Sequence, residues 1–327
     1  MTKKKNFRVI ALAGGVGGAK LAYGLARLLL PEKLTVIVNI GDDFEHLGLK
    51  ICPDLDTVCY TLAGLANPET GWGRIGETWH ALESIVELGG PTWFRLGDRD
   101  LGTHLERTRL LGSGRPLSSI TKEFCLAWNI GQTILPVTDD IVPTIVFTDK
   151  GVLPFQEYFV KNKCIPKVKG FEFSNVNKAT PAPGVLESIK ESELVIFCPS
   201  NPWVSIDPIL AIPGVREELL KLTVPIIAVS PIIAGETVKG PAAKMYAEMG
   251  IEPSALAVAD HYGFFCDGGL LTGFVLDILD ENMSSEILSM GINTSTTNTL
   301  MQTNSDREKL AREVLEFGKE IMNRNKI

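Results

Sequence analysis

Closely spaced cysteine pairs are missing from this chain of 327 residues. Its six cysteines include no Cys-x-x-Cys sequence, which excludes the common structural zinc sites that use that spacing. Several cysteines lie in apolar runs, such as Cys198 directly after Val195–Phe197. We interpret them as small buried hydrophobes in a reducing compartment.

Excess positive charge and long apolar runs are absent as well. The 32 lysines and arginines are outnumbered by 39 aspartates and glutamates, giving a net charge of −7, so we expect no nucleic-acid partner. The basic run Lys3–Lys5 is interpreted as a solvated tail. No apolar stretch approaches the roughly 20 residues of a membrane helix, and the N-terminus lacks the features of a signal peptide. The sequence therefore predicts a cytoplasmic protein with no membrane partner.

The first 40 residues follow the order of a βαβ unit. The apolar, β-branched run Phe7–Ala13 predicts a buried strand, and it leads into the glycine-rich segment Gly14–Lys20. A helical stretch, Leu21–Leu30, and a second apolar run, Leu34–Ile40, come next. A strand, a turn, a helix and a strand in this order predict a parallel sheet.

Three later apolar runs have the same character. Residues 194–198, 225–229 and 255–259 are each predicted to be buried strands, and each stops at polar or proline-containing residues. Ligands of open parallel sheets bind outside the carboxyl ends of the strands, so these stops are candidate binding segments.

Two regions depart from the pattern of the parallel sheet. Residues 61–132 have helical periodicity and predict a mainly helical insertion, and residues 144–175 alternate like antiparallel strands, for example at Phe155–Val160. We therefore predict that residues 1–327 form a single α/β domain. Its fold class is a Rossmann-like three-layer parallel sheet with a helical insertion and a small antiparallel β segment.

The glycine loop Gly14–Lys20 is the first candidate for chemistry. Glycines after a buried strand allow backbone N–H groups to approach an anion at the start of a helix. The loop is not a P-loop, because Leu21 stands where that motif has Ser or Thr, and Lys20 replaces the third glycine of a dinucleotide fingerprint. A tight turn without a ligand is the alternative.

Four aspartates within fifteen residues form the second candidate: Asp42, Asp43, Asp54 and Asp56. Crowded carboxylates repel one another and raise one another's pKa unless a cation joins them. Oxygen ligands of this type suit Mg²⁺, which usually keeps waters and substrate phosphates in its shell. Asp54 is equally suited to cap a helix that starts near Leu55.

The segment Leu96–His104 is the third candidate. Arg99 stands between Asp98 and Asp100, an arrangement suited to a phosphate or a planar polar ring. A surface ion-pair turn explains the same residues. His104 carries little weight alone, because the four histidines show no metal-ligand spacing.

Two further segments follow predicted strands. Serine and asparagine side chains beyond a strand end, here Ser200 and Asn201, can bind a nucleotide or a phosphate, and Lys239 with Gly240 could meet a diphosphate. Plain loops are the alternative for both segments.

Taken together, these segments resemble the 2-phospho-L-lactate transferases of deazaflavin coenzyme (coenzyme F-420) biosynthesis. The resemblance runs from about residue 8 to about residue 280, and its pieces are specific in combination rather than singly. It is carried by Gly14–Lys20, Asn39–Asp43, Cys52–Thr57, Gly71–Gly73, Glu77–Trp79, Trp93–Asp100, Pro199–Pro202 and Ser230–Lys244.

The resemblance implies a Mg²⁺-dependent transfer reaction. The donor would be a guanylylated three-carbon acid, joined through a diphosphate and of lactyl, enolpyruvyl or glyceryl type. The acceptor would be the ribityl hydroxyl of the deazaflavin Fo, and GMP would leave. A homodimer is the family expectation. The sequence does not distinguish among the three acids.

The resemblance also implies a set of site residues. Asp42, with one or both of Asp54 and Asp56, would hold Mg²⁺, and Asp42 and Asp56 are the candidate catalytic residues. Arg99 and Asp98 would lie in the deazaflavin site. The donor would be held by the glycine loop and by segments 200–205 and 237–244, with these candidates: Gly14, Gly15, Gly17, Gly18, Lys20, Ser200, Asn201 and Lys239.

Some roles and two other functions stay open. An aspartate could accept the hydroxyl proton, but the sequence does not say which one. Trp72, Trp79 and Trp93 are candidates for stacking on the acceptor ring or for core packing. A nicotinamide oxidoreductase would share the βαβ opening, but Lys20 argues against it. Regulatory proteins of the same superfamily bind nucleotide sugars without turnover; they share the glycine loop but not the Gly97–Asp100 segment.

Overall fold

A parallel sheet of seven strands forms the centre of the protein. The computed structural model describes residues 6–324, so the basic run Lys3–Lys5 lies outside the described residues. The strands are Val9–Ala13 (β1), Leu34–Val38 (β2), Phe44–His46 (β3), Leu49–Ile51 (β4), Thr133–Pro136 (β5), Thr144–Thr148 (β6), Gly151–Pro154 (β7), Val168–Phe173 (β8), Leu194–Phe197 (β9), Ile226–Val229 (β10), Ile232–Ile233 (β11), Glu236–Thr237 (β12), Gly273–Asp277 (β13) and Asn293–Thr297 (β14). The order in the large sheet is β14-β13-β10-β9-β1-β2-β5, and every neighbouring pair is parallel.

Helices lie between these strands along the chain. They are Gly15–Leu28 (α1), Pro53–Ala63 (α2), His80–Glu87 (α3), Asp98–Gly112 (α4), Leu117–Ala127 (α5), Val185–Lys190 (α6), Asp207–Leu210 (α7), Val215–Leu219 (α8), Ala242–Glu248 (α9), Ala255–Tyr262 (α10), Ser284–Ser289 (α11) and Asn304–Arg324 (α12). Short π-helical turns occupy Glu157–Lys161 and Pro202–Ile206. None of the described helices has the length and apolar character that crossing a bilayer requires.

The apolar composition of the central strands explains their position. Every residue of β1, β9, β10 and β13 is buried. Strands of this kind need cover on both faces, which the helices provide; α1, for example, packs against α2 and α12. Each fully buried Val, Leu or Ile side chain contributes about 1.5–3 kcal/mol through the hydrophobic effect.

The predicted fold class is confirmed. A three-layer α/β architecture surrounds the parallel sheet, and helices α3, α4 and α5 occupy the region between residues 61 and 132. The alternating region at 144–175 contains β6, β7 and β8, which form an antiparallel sheet in the order β7-β6-β8.

Two local predictions were wrong. The run 255–259 is the start of α10 rather than a strand, because Ser254 caps the helix by accepting a hydrogen bond from the Ala257 N–H at 3.0 Å. Alanine also favours helix, and three of these five residues are alanines. The segment Phe155–Val160 is helical as well; its buried residues Phe155 and Tyr158 follow a helical spacing of three.

The strand order creates a crevice at the carboxyl edge of the sheet. From β1 the chain builds outward through β2 and β5, and it then returns to place β9 on the other side of β1. Loops that leave β1 and β9 therefore diverge and leave a gap between them, which is where ligands bind in open α/β sheets.

Candidate functional site

A cavity of about 580 Å³ lies at this carboxyl edge. Segments that follow five strands of the large sheet line it, so the sheet topology brings distant parts of the chain together. These segments are Gly14–Gly17 after β1, Asp42 after β2, Pro199–Asn201 after β9, Ser230–Pro231 after β10 and Thr299–Met301 after β14. Helix α2 and the insertion complete the walls.

The glycine turn is held rigidly at the cavity. Gly15 has φ +63°, a conformation that other residues rarely adopt, and a Cβ on Gly17 would clash with the carbonyl oxygen of Pro199. The Ser200 hydroxyl donates to the Gly14 carbonyl at 2.8 Å and accepts from the Gly14 N–H at 3.3 Å. Gly14, Gly15 and Gly17 line the cavity, whereas Gly18 packs close to the Ser200 hydroxyl.

Asn201 borders the same cavity and shapes the loop after β9. Its side-chain oxygen accepts a hydrogen bond from the Trp203 N–H at 3.1 Å, which caps the π-helical turn. Its amide nitrogen contacts Met245 Sδ at 3.2 Å. Ser200 and Asn201 thus organise backbone around the cavity as well as lining it.

Asp42 and Asp54 are brought together by one amide group. Asn39 Nδ2 donates to Asp42 Oδ1 at 3.1 Å and to Asp54 Oδ2 at 2.8 Å, and both carboxylates are buried at the cavity wall. Burial and the charge of Asp54 raise the pKa of Asp42 well above its ordinary value. Burial likewise raises the pKa of Asp54 to about 6, although hydrogen bonds from Asn39 and the Gly15 backbone oppose the increase. Within the described residues, no lysine or arginine forms an ion pair with either carboxylate.

Asp56 lies in different surroundings from this carboxylate pair. Arg107, only 1% exposed, approaches both of its oxygens; Nη1 donates to Oδ2 at 3.0 Å, and Nη2 contacts Oδ1. His104 Nδ1 is 3.7 Å from Asp56 Oδ2. Asp43 has a cation as well, since Lys50 Nζ lies 3.3 Å from its Oδ2. Each of these two aspartates is therefore neutralised by the protein itself.

A second acidic group borders the cavity. Asp56, Asp100 and His104 place one potential ligand atom each within 4.8 Å of one another, so they form a possible metal site. Arg107 contacts two of the three residues, with Nη1 lying 3.2 Å from His104 Nδ1. Because the guanidinium of Arg107 already neutralises Asp56, whereas no described cation pairs with Asp42 or Asp54, the Asp42–Asp54 pair has the greater need for a cation.

Two lysines face the cavity near the glycine turn. Lys20 Nζ donates to the Met301 carbonyl at 2.7 Å, and Lys239 Nζ donates to the Thr70 carbonyl at 2.7 Å. Burial, followed by the charges of Arg307 and Lys239, lowers the pKa of Lys20. Cations that repel one another beside a cavity favour an anionic ligand such as a phosphate.

Asp98 and Arg99 do not line the cavity. Asp98 accepts hydrogen bonds from Thr78 Oγ1 at 2.5 Å and from the N–H groups of His80 and Ala81 at 3.1 and 3.0 Å, so it caps the start of α3. Arg99 Nη1 donates to the Ile75 carbonyl at 3.2 Å. Both residues hold the insertion loop, while their neighbour Asp100 reaches the cavity wall.

Tyr60, Asp100 and His104 line the cavity, although the sequence analysis assigned none of them a role in the site. Asp100 and His104 are four residues apart on α4, and Asp56 and Tyr60 are four apart on α2, so helical spacing could have paired them. Six aromatic side chains also line the cavity and are called here the aromatic wall: Tyr60, Trp72, Trp93, Phe94, Phe155 and Phe159. Of the three tryptophans singled out from the sequence, Trp72 and Trp93 line the cavity, whereas Trp79 packs under the guanidinium of Arg95 at 4.2 Å.

Comparisons with known proteins support one family. The family model described as 2-phospho-L-lactate transferase CofD matches residues 9–317. A phosphoenolpyruvate transferase from Streptomyces griseus is 42% identical over 319 residues, which is 96% of this chain and 99% of that protein. A phosphoenolpyruvate transferase from Thermobifida fusca is 44% identical over 288 residues, covering 84% of this chain and 88% of that protein.

A solved structure supports the fold. A crystal structure of a UPF0052 family member from Bacillus halodurans superposes with a TM-score of 0.62 at 17% identity, covering 96% of this chain and 100% of that one. At this identity the likeness concerns the architecture alone. From the extent of the family match and of the relatives at more than 40% identity, the chain belongs to the 2-phospho-L-lactate transferase CofD family and is a transferase enzyme.

Proposed function

We propose that this protein transfers a phosphoenolpyruvyl group from a guanosine diphosphate-linked donor to the ribityl hydroxyl of the deazaflavin Fo, with release of GMP. Family membership and the names of the full-length relatives support the class of reaction and the choice of acid. The observation that carries the proposal is that the Asp42–Asp54 pair, the glycine turn, two lysines and the aromatic wall all line one cavity.

Mg²⁺ is the cofactor that we propose for the Asp42–Asp54 pair. The two carboxylates are buried and share one hydrogen-bond donor, and the charge of Asp54 adds to burial in raising the pKa of Asp42, so their oxygens fit a small, hard cation. Asp56 is left out of this ligand set because Arg107 occupies its oxygens. When bound, the cation would neutralise diphosphate charge and stabilise the departing phosphate.

The donor is proposed to lie along the glycine turn. The N-terminus of α1 offers backbone N–H groups and a partial positive charge, and Lys20 and Lys239 add two full charges at the same end of the cavity. Phosphoryl transfer depends mainly on positioning and charge neutralisation, which these groups provide. The aromatic wall offers faces on which the flat deazaflavin ring could stack.

Mg²⁺ is expected to stabilise the protein more at pH 8 than at pH 5, because protonated Asp54, with its pKa of about 6, cannot bind the cation. The pKa of Asp54 is higher in the folded protein, about 6, than in the unfolded chain, so the folded state binds this proton more tightly. The resulting stabilisation is fully present below the unfolded pKa and is lost as pH rises through about 6. The free protein should therefore lose stability on this rise, and Mg²⁺ should restore it. Thermal melts at both pH values, with and without Mg²⁺, test this; an equal Mg²⁺ effect at the two values would contradict it.

Replacing Lys20 with Met is expected to raise KM for the donor by about 10-fold to 100-fold, since a hydrogen bond to a charged group contributes about 1.5–3 kcal/mol. KM for Fo should change little. Steady-state kinetics with each substrate varied in turn measure both constants. Lys221→Met is a matched control, because Lys221 is an exposed lysine that pairs with Glu218. A KM for the donor that stays at the wild-type value would remove Lys20 from the donor site.

The proposal is tested by presenting the purified protein with Fo, Mg²⁺ and each guanylylated acid in separate reactions. Mass spectrometry of the deazaflavin product identifies the acid transferred. We expect the enolpyruvyl donor to give the largest kcat/KM. Preference for the lactyl or glyceryl donor would correct the acid, and absence of product from every donor would refute the transfer to Fo.

A further inference from the structure

Four carboxylates line the cavity, and their partners divide them into three kinds. Asp42 and Asp54 form the shared pair, and Asp56 is neutralised by Arg107. Asp100 belongs to neither group, since no described lysine or arginine forms an ion pair with it. Its side chain borders the cavity on the side of α4, next to the aromatic wall.

The contacts of Asp100 orient its carboxylate. Tyr60 donates its hydroxyl hydrogen to Asp100 Oδ1 at 2.6 Å, and His104 Nε2 lies 3.4 Å from the same oxygen. Within the described residues, no hydrogen-bond donor contacts Oδ2. The carboxylate is thus held through one oxygen, while the other can receive a hydrogen from a ligand.

The contacts behind Asp100 hold the ring of His104 between Arg107 and Asp100. Arg107 Nη1 lies 3.2 Å from His104 Nδ1, and an arginine can only donate. Nδ1 thus lies against Arg107, and the opposite ring nitrogen, Nε2, is on the side of Asp100. Although burial opposes it, contacts from His104 and Tyr60 hold the pKa of Asp100 below its ordinary value.

The backbone around Asp100 is fixed as well. Both oxygens of Glu77 accept backbone hydrogens at the start of α4, from Arg99 at 2.7 Å and from Asp100 at 2.9 Å. A carboxylate near the start of a helix also interacts favourably with the positive end of the helix dipole. Asp100 is therefore held at its backbone and at one side-chain oxygen, as a group that acts on a bound substrate requires.

We propose that Asp100 is a catalytic residue that accepts the proton of the acceptor hydroxyl during transfer. The inference rests on the proposed function. In the step, the hydroxyl oxygen forms a bond to the donor phosphorus nearest the three-carbon acid, and the bond from that phosphorus to the bridging oxygen breaks. The electron pair of that bond leaves with GMP, and the hydroxyl proton moves to Asp100 Oδ2. Tyr60 and His104 are positioning residues for this carboxylate.

The test compares Asp100→Asn, Asp100→Ala and a control, Glu106→Gln. Asparagine can still accept from Tyr60 but cannot take up a proton, so kcat is expected to fall by about 10²-fold to 10⁴-fold, the usual effect of losing a general base. Affinity for Fo and for the donor, measured by titration, should stay close to wild type. Glu106 is an exposed carboxylate on the same helix that pairs with Arg109, and its replacement should leave kcat unchanged.

Chemical rescue separates proton transfer from a structural role. Asp100→Ala opens space beside Tyr60, and added formate is expected to restore part of kcat in this variant but none in Asp100→Asn. Wild-type activity in Asp100→Asn, or loss of Fo binding with kcat preserved at saturation, would overturn the assignment while leaving the proposed function intact. Failure of formate to restore any turnover in a folded Asp100→Ala protein that still binds both substrates would overturn it as well. Absence of phospho-deazaflavin with the wild-type protein would overturn both.

Discussion

Replacing Asp42 with Asn is expected to reduce Mg²⁺-dependent turnover by about 100-fold or more, because metal coordination supplies several kcal/mol to the transition state. The substitution removes one of two buried carboxylates but keeps an oxygen that can accept from Asn39. Steady-state assays over a range of Mg²⁺ concentrations measure the loss, and calorimetry should show weakened Mg²⁺ binding in parallel.

The fold of the Asp42→Asn protein should remain intact. Because burial and the charge of Asp54 raise the pKa of Asp42, its removal relieves repulsion, and the metal-free variant should melt no lower than wild type at pH 8. Glu106→Gln serves as the matched control for loss of a carboxylate elsewhere. Activity near the wild-type level in Asp42→Asn would show that Asp42 does not hold the cation.

Replacing Arg107 with Met is expected to lower the free energy of unfolding by about 3–5 kcal/mol, the usual effect of leaving one partner of a buried ion pair alone. Arg107 is fully buried, and it joins Asp56 of α2 to α4 through two contacts. Denaturant titration measures the loss. Combining Arg107→Met with Asp56→Asn should recover part of it, because the second change removes the unpaired charge.

Arg109 provides the control for this experiment. It lies on the same helix and pairs with Glu106, but both side chains are exposed. Arg109→Met should change the unfolding free energy by no more than about 1 kcal/mol, as is usual for surface ion pairs. An equally small loss in Arg107→Met would mean that the buried pair does not secure α2 against α4.

Local sequence rules correctly predicted those segments whose conformation is determined by residues close together in the chain. The apolar run of β1, the glycines that follow it and the helix α1 form one continuous stretch, so their order alone predicted the turn. The same rules failed at residues 255–259, where an apolar run of strand length is helical because Ser254 supplies a cap. Periodicity cannot separate these two outcomes in five apolar residues.

The different partners of the individual aspartates could not be predicted from such local rules. Asp54 and Asp56 are two residues apart, yet Asn39 holds one and Arg107 holds the other. Asn39 and Arg107 are both distant in sequence from the aspartates that they contact. Which carboxylate receives which partner is therefore decided by the tertiary packing around α2. Asp98 likewise turned out to cap α3, a role that depends on a segment about eighteen residues earlier.

One measurement tests the central proposal most directly: the amounts of GMP and phospho-deazaflavin formed in the same reaction with Fo and the enolpyruvyl donor. The proposed transfer predicts equal amounts of both products with Mg²⁺ and neither after chelation. Release of GMP without phospho-deazaflavin would mean that water is the acceptor, and it would contradict the assignment of the aromatic-walled cavity to Fo.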